Sequence, residues 1–222
     1  VYKRQGMITH PEGLLSRIRK LCDQYEVLLI CDEVATGFGR TGRLFACEHE
    51  SVTPDILCLG KGLTGGYLPM AATLARPHVY DAFLAPATAS RQFFHGHTYG
   101  GNPLACTAAH TVLNEILDNH LATKAGDLGQ VIRDEIHSWH HPVITEVRGR
   151  GLLLGIGLDP ELVIRPEGKT PALHLCNLLM ENGLLVPPAG PDTIRFLPPL
   201  NLTEDEPRQA LDILKATLDG IG

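Results

Sequence analysis

Three short, mainly apolar runs, Val27 to Ile30, Ile56 to Leu59 and Ala71 to Leu74, the last containing Thr73, constrain what this chain can fold into. A strand with one face in water alternates apolar and polar residues. A short run without alternation suits a strand covered on both faces, as in a parallel sheet. Between and after these runs lie helical patterns. Leu14, Leu15, Ile18, Leu21 and Cys22 recur at helical spacing behind His10 and Pro11, ending near Gln24. From Asn102 to Leu117, Leu104, Ala105, Ala108, Val112, Leu113, Ile116 and Leu117 form an apolar stripe. Strands alternating with helices predict an α/β layer architecture.

After Asn119 the texture changes. The patterns predict an amphipathic helix to Ser138, strands near Ile144–Val147 and Leu152–Leu158, a helix over Pro171–Glu181 and a strand over Thr193–Leu197. A last helix over Glu204–Leu218 is predicted to be capped by Thr203. The division expected is an α/β domain over residues 6–118 and a small C-terminal α+β domain over 119–222. The leading VYKRQ, residues 1–5, reads as a scar extraneous to the fold.

The chain has 222 residues, 44% of them hydrophobic and 20% charged, which suffices for a sizeable core. A formal net charge of −6 without blocks of like charge argues against a nucleic-acid surface and favours small-molecule partners. The six cysteines form no C-x-x-C pair and read as reduced, mostly buried thiols. No apolar run is long enough to span a membrane, and a cytoplasmic location is the expectation.

The stretch ICDEVATGFGRTG, Ile30 to Gly42, contains GFGRTG, a match to the G-x-G-x-x-G dinucleotide fingerprint behind a strand. Asp32 and Glu33 stand between that strand and the glycines, where they would face a pyrophosphate of like charge. A nucleotide hydrolase is a second reading, with LLICDE as its metal-binding strand, but the chain carries no G-x-x-x-x-G-K-[ST]. Taken alone, an Asp-Glu pair at a strand end also serves as a helix cap or a turn.

Lys61 gives the pair a different meaning. It follows the predicted strand DILCLG and precedes the flexible GLTGG, so amine and carboxylate would meet at the carboxyl edge of one sheet. That combination suits pyridoxal 5′-phosphate: an acid keeps the ring nitrogen protonated, and a lysine holds the cofactor and moves the substrate's Cα proton.

DEVATGFGRTGRLFACEHESVTPDILCLGKGLTGGYLPMAATLA and FFHGHTYGGNPLAC resemble the class III, fold-type I pyridoxal-phosphate aminotransferases. The resemblance runs from about Gly6 to the end and covers the later half of a family member. It implies that Asp32 is the pyridinium partner and that Lys61, 29 positions on, is the Schiff-base lysine and also meets substrate. It implies further that Gly96 contacts substrate, that His97 and Thr98 lie at the cofactor phosphate, and that the enzyme is a homodimer. At position 97 the family often has proline, so the backbone there is the expected contact, and His95 is read as packing.

ATGFGRTG with FACEH, LCLGKGLTGGYLP and FFHGHTY is most similar to the adenosylmethionine-8-amino-7-oxononanoate aminotransferases, which implies S-adenosylmethionine and 8-amino-7-oxononanoate as substrates. One departure stands out. Pro187 occupies the place of an arginine that often binds the substrate carboxylate in that subfamily, and Arg195 is the expected substitute. VRGRGLLLGIGL and this tail are closer to acetylornithine and ornithine-type enzymes, the alternative within the class. An inactive fragment is the remaining alternative. His137, Trp139, His140 and His141 suggest a solvated helix end more than a metal site.

Overall fold

A computed structural model describes residues 6–203 and 205–221, so the leading VYKRQ lies outside the described residues. Two compact units divide the chain. The first comprises Pro11–Phe38 and Phe45–Asn119. The second comprises Gly39–Leu44, residues 6–10 and the described chain from His120 onward. The six-residue excursion at Gly39–Leu44 is a feature that division by chain order does not anticipate.

The first unit holds helix α1 (Leu14–Gln24), strands β1 (Ile30–Asp32), β2 (Ile56–Leu59) and β3 (Ala72–Ala75), and helices α2 (Pro77–Asp81) and α3 (Pro103–Asp118). β1 and β2 are parallel, whereas β3 runs antiparallel to β2 at the sheet's edge. Leu15 of α1, Cys31 of β1 and, from the connecting segments, Leu29, Cys47 and Val52 form its core. Asn102 caps α3 by accepting the N–H groups of Leu104 and Ala105, and Pro103 sits at the first helical position where its missing N–H costs nothing.

β1 starts later than the apolar run predicts. The Val27 N–H turns back to the Cys22 carbonyl, and the Leu29 N–H donates at 2.7 Å to the Asp55 carboxylate rather than to a strand. Ladder pairing therefore begins only at Ile30. The expected cover on both faces is also not found among the described residues: Cys31 is buried, but Ile30 is 57% exposed.

Asp55 is the electrostatic centre of this unit. Its buried carboxylate takes the Leu29 N–H and the Arg19 guanidinium, the latter at 2.6 Å, and so ties α1 to the entry of β1 and β2. Burial works to raise its pKa, but the Leu29 N–H and Arg19 outweigh burial and hold it below the usual carboxylate range.

In the second unit, β4 (Ile144–Arg150), β5 (Leu153–Leu158) and β6 (Thr193–Phe196) form an antiparallel sheet in that order, with α4 (Leu121–Ser138), α5 (Pro171–Glu181) and α6 (Glu206–Asp219) packed on it. Ile132 and Ile136 of α4, Leu154 and Ile156 of β5, Leu175 and Leu179 of α5, Ile194 of β6 and Leu214 of α6 are buried together. Each such side chain contributes about 1.5–3 kcal/mol relative to exposure. Thr170 caps α5 through the Leu173 N–H.

Thr203 does not cap α6. Asp205 takes that position without a side-chain bond, and Thr203 instead donates its N–H and hydroxyl to the Glu206 carboxylate. The histidines after α4 make separate contacts: His141 Nε2 lies 3.5 Å from Asp219, and His140 Nδ1 meets the Ser138 carbonyl. Among the described residues no group of three side chains could hold a metal ion. No helix there is long and apolar enough to cross a membrane.

Candidate active site

The parallel register of β1 and β2 sets Asp32 opposite Cys58. Lys61 follows three residues after Cys58, so carboxylate and amine leave neighbouring strands at one sheet edge, the edge where α/β sheets collect functional groups. The Asp32 carboxylate is exposed and accepts the Val34 N–H at 3.0 Å, which fixes its direction. Val34 lies beside Gly60: a Cβ there would be in ordinary contact with Val34 Cγ1 at 3.4 Å.

Lys61 itself adopts φ 45°, a left-handed conformation that costs free energy in a residue with a Cβ and that clusters at functional sites. It opens a short 3₁₀ turn, Lys61–Thr64, closed by Gly65 in the same left-handed region. Phe38 lies beneath this turn, since a Cβ on Gly62 would come within 3.1 Å of the Phe38 Cβ. The Phe38 ring meets Phe45 edge-on at 5.8 Å.

Glu33 is the residue whose role the sequence reading missed. Successive strand residues face opposite sides, so when Asp32 faces the open edge its neighbour turns inward. Glu33 is 3% exposed. Its carboxylate accepts the Ala46 N–H at 3.0 Å, the Cys47 N–H at 2.8 Å and the Thr36 hydroxyl. Its own N–H donates to the Cys58 carbonyl at 2.9 Å. Burial, followed by the charge of Glu33, pushes the Cys47 thiol up to about 12 and that of Cys31 to about 11, which makes both unreactive packing groups.

The glycines of GFGRTG have a packing role. Gly39 and Gly42 have φ of 90° and 95°, and a Cβ on either would lie 3.1 Å from Ala122 Cα or 3.0 Å from Gly126 Cα of α4. Between them, Arg40 donates to the carbonyls of Leu152 and Pro198. The glycines therefore let one backbone lie against another, and no phosphate is needed to account for them.

A cavity of about 1050 Å³ in the first unit is lined by Lys61, Thr64, Met70, His95, His97 and Tyr99, among others. His95, expected to be packing, stands in its wall. His97 Nδ1 accepts the Tyr99 N–H at 3.2 Å. Asp32, Gly96 and Thr98 do not line this cavity; Gly96 has open space around it.

Pro187 and Arg195 belong to the second unit. The Arg195 N–H donates to the Pro187 carbonyl at 2.9 Å, and both residues line a separate cavity of about 390 Å³. The Arg195 Nε is buried without a hydrogen-bond partner among the described residues. The structure thus brings Lys61 together with His97, sets Asp32 on the strand next to that leading to Lys61, and joins Pro187 to Arg195.

An exposed carboxylate and an amine at one strand edge, with the amine in the wall of a large cavity, are the donor set that pyridoxal phosphate requires. The profile of the family described as Aminotransferase class-III matches residues 2–218. The chain belongs to the class-III aminotransferases. This class depends on pyridoxal phosphate and has the fold-type I architecture, and the dinucleotide and nucleotide-hydrolase readings end here.

As a class-III aminotransferase, the chain is similar to proteins of different specificity. It is 41% identical to the adenosylmethionine-8-amino-7-oxononanoate aminotransferase of Staphylococcus aureus, over 97% of this chain and 48% of that protein. The acetylornithine aminotransferase of Elizabethkingia anophelis is 40% identical, with a TM-score of 0.86 over 98% of this chain and 52% of the other. The ornithine aminotransferase of Toxoplasma gondii, a structure with partial occupancy of PLP at its active site, is 38% identical with a TM-score of 0.86, over 97% and 48%. The chain spans about half the length of the relatives it matches.

Proposed function

We propose that this chain carries the lysine-bearing part of a transaminase that moves an amino group from S-adenosylmethionine to 8-amino-7-oxononanoate, giving 7,8-diaminononanoate, in biotin biosynthesis. This reading is supported by the 41% identity to the S. aureus enzyme over 97% of the chain, a level that an ornithine aminotransferase of Emericella nidulans also reaches over 96%. Pyridoxal phosphate, when bound, supplies an electrophilic carbon for the amine and a ring that withdraws electrons from the substrate Cα.

The residues of the chain divide the remaining work. Lys61, in the wall of the larger cavity, would hold the cofactor and would take and return the proton at the substrate Cα. The Asp32 carboxylate, aimed by the Val34 N–H, keeps the proton on the ring nitrogen. His97 and Thr98 meet the phosphate, Thr98 through its hydroxyl, and Gly96 gives substrate room to approach. Arg195, whose Nε has no hydrogen-bond partner among the described residues, takes the substrate carboxylate next to Pro187. A homodimer working in the cytoplasm completes the proposal.

A second reading, an ornithine or acetylornithine-type transaminase, is favoured by Pro187 at the arginine position and by Arg195 on β6. A panel of donors and acceptors separates the two. Formation of 7,8-diaminononanoate from S-adenosylmethionine and 8-amino-7-oxononanoate supports the first. Turnover confined to ornithine or acetylornithine with a 2-oxo acid overturns it in favour of the second.

A further inference from the structure

Glu33 is a buried carboxylate for which the transamination chemistry has no use, and its contacts tie down the turn that follows Asp32. Its three acceptor contacts, to Thr36, Ala46 and Cys47, close the stretch that begins at the end of β1 and returns at residue 46. Its backbone closes the same stretch from the other side: the N–H bonds to Cys58 of β2, and the carbonyl accepts the Gly37 N–H at 2.9 Å. Glu33 is therefore held at both ends, and the residue that follows it inherits its position.

That residue is Val34. Its N–H aims the Asp32 carboxylate, and its side chain rests against Gly60, the residue before Lys61. One turn thus orients the acid and lies beside the residue that precedes the lysine. We infer that Glu33 is a positioning residue of the cofactor site: by locking the turn through Thr36, Ala46 and Cys47, it holds Val34 where it can orient Asp32 and support the Gly60–Lys61 step. The inference rests on the reading of Asp32 and Lys61 as the cofactor's partners.

A carboxylate suits this task because it accepts several donors at once without a donor of its own to satisfy. An amide in its place would keep the shape, but its NH₂ would face N–H and O–H donors. At metal sites, groups that orient the directly bonding residues matter by about 10–100-fold, and the low end of that range is the scale expected here.

The test compares holoprotein of wild type, Glu33→Gln and Thr36→Val, each titrated with pyridoxal phosphate and each scanned for the pH midpoint of the cofactor's visible band. Glu33→Gln is expected to weaken cofactor binding about 10-fold and to move the pH midpoint, because Asp32 no longer holds the ring-nitrogen proton in place. Thr36→Val, which removes only the hydroxyl donor, is expected to do the same to a smaller extent and decides the matter if Glu33→Gln does not fold. A wild-type midpoint and affinity in the folded variants, with only thermal stability lowered, would show that Glu33 is a structural anchor and overturn the inference. Wild-type protein without a visible band would overturn the cofactor reading on which it rests.

Discussion

Asp32 of β1 stands in parallel register with Cys58 of β2, three residues before Lys61. The distance along the chain between acid and lysine, 29 positions, is cancelled by strand pairing, and the proposed site rests on this relationship. Both strands are short, so what holds their ends together lies outside them, in Glu33, Val34 and the Asp55 cluster.

Asp55 is predicted to anchor the far end of the same strands. Asp55→Ala leaves Arg19 and the Leu29 N–H without their buried partner, and the expected loss is about 3 kcal/mol in denaturant unfolding at neutral pH. The pH dependence has a definite sign. A folded-state pKa held below its unfolded value of roughly 3.9 contributes stability that is present above that pH and lost as pH falls through the folded value. Wild type should therefore lose more stability than Asp55→Ala on acidification below about pH 4, measured by unfolding midpoints at several pH values.

Gly42→Ala tests the packing role of GFGRTG. The new Cβ would meet Gly126 Cα at 3.0 Å in a residue held at φ 95°, and a cost of about 2 kcal/mol is expected in thermal unfolding. Gly96→Ala has open space around it and should stay within about 0.5 kcal/mol of wild type.

Arg195→Ala tests carboxylate recognition. The variant should raise the Michaelis constant for the oxo-acid substrate by about 10–100-fold, with a smaller change in kcat, because the lost contact binds substrate and transition state alike. An unchanged Michaelis constant would remove Arg195 from the site. Arg195→Lys keeps the charge but not the two-pronged geometry and should recover only part of the loss.

Much of this was legible in the sequence where the cause is local. Asn102-Pro103 and Thr170-Pro171 announce α3 and α5 because cap and first residue are adjacent. The apolar stripe of α4 and the runs of β2 and β5 appear within a few residues of their predicted bounds. What was not legible depends on distant partners. The glycines of GFGRTG meet Ala122 and Gly126, some eighty residues on, so their spacing resembles a phosphate loop until α4 is in place. β1 begins late because the Asp55 side chain intercepts the Leu29 N–H, a contact that no propensity encodes. Glu33 looked like the lesser half of an Asp-Glu pair because its partners, Ala46 and Cys47, are backbone groups with no sequence signature of their own.

The central claim is that Lys61 is the residue that holds the cofactor. The most direct measurement is borohydride reduction of the protein mixed with pyridoxal phosphate, followed by peptide mass mapping. The account predicts a phosphopyridoxyl adduct on the peptide containing Lys61, lost together with the visible band in Lys61→Ala. An adduct on another lysine, or a band that survives in Lys61→Ala, would contradict it.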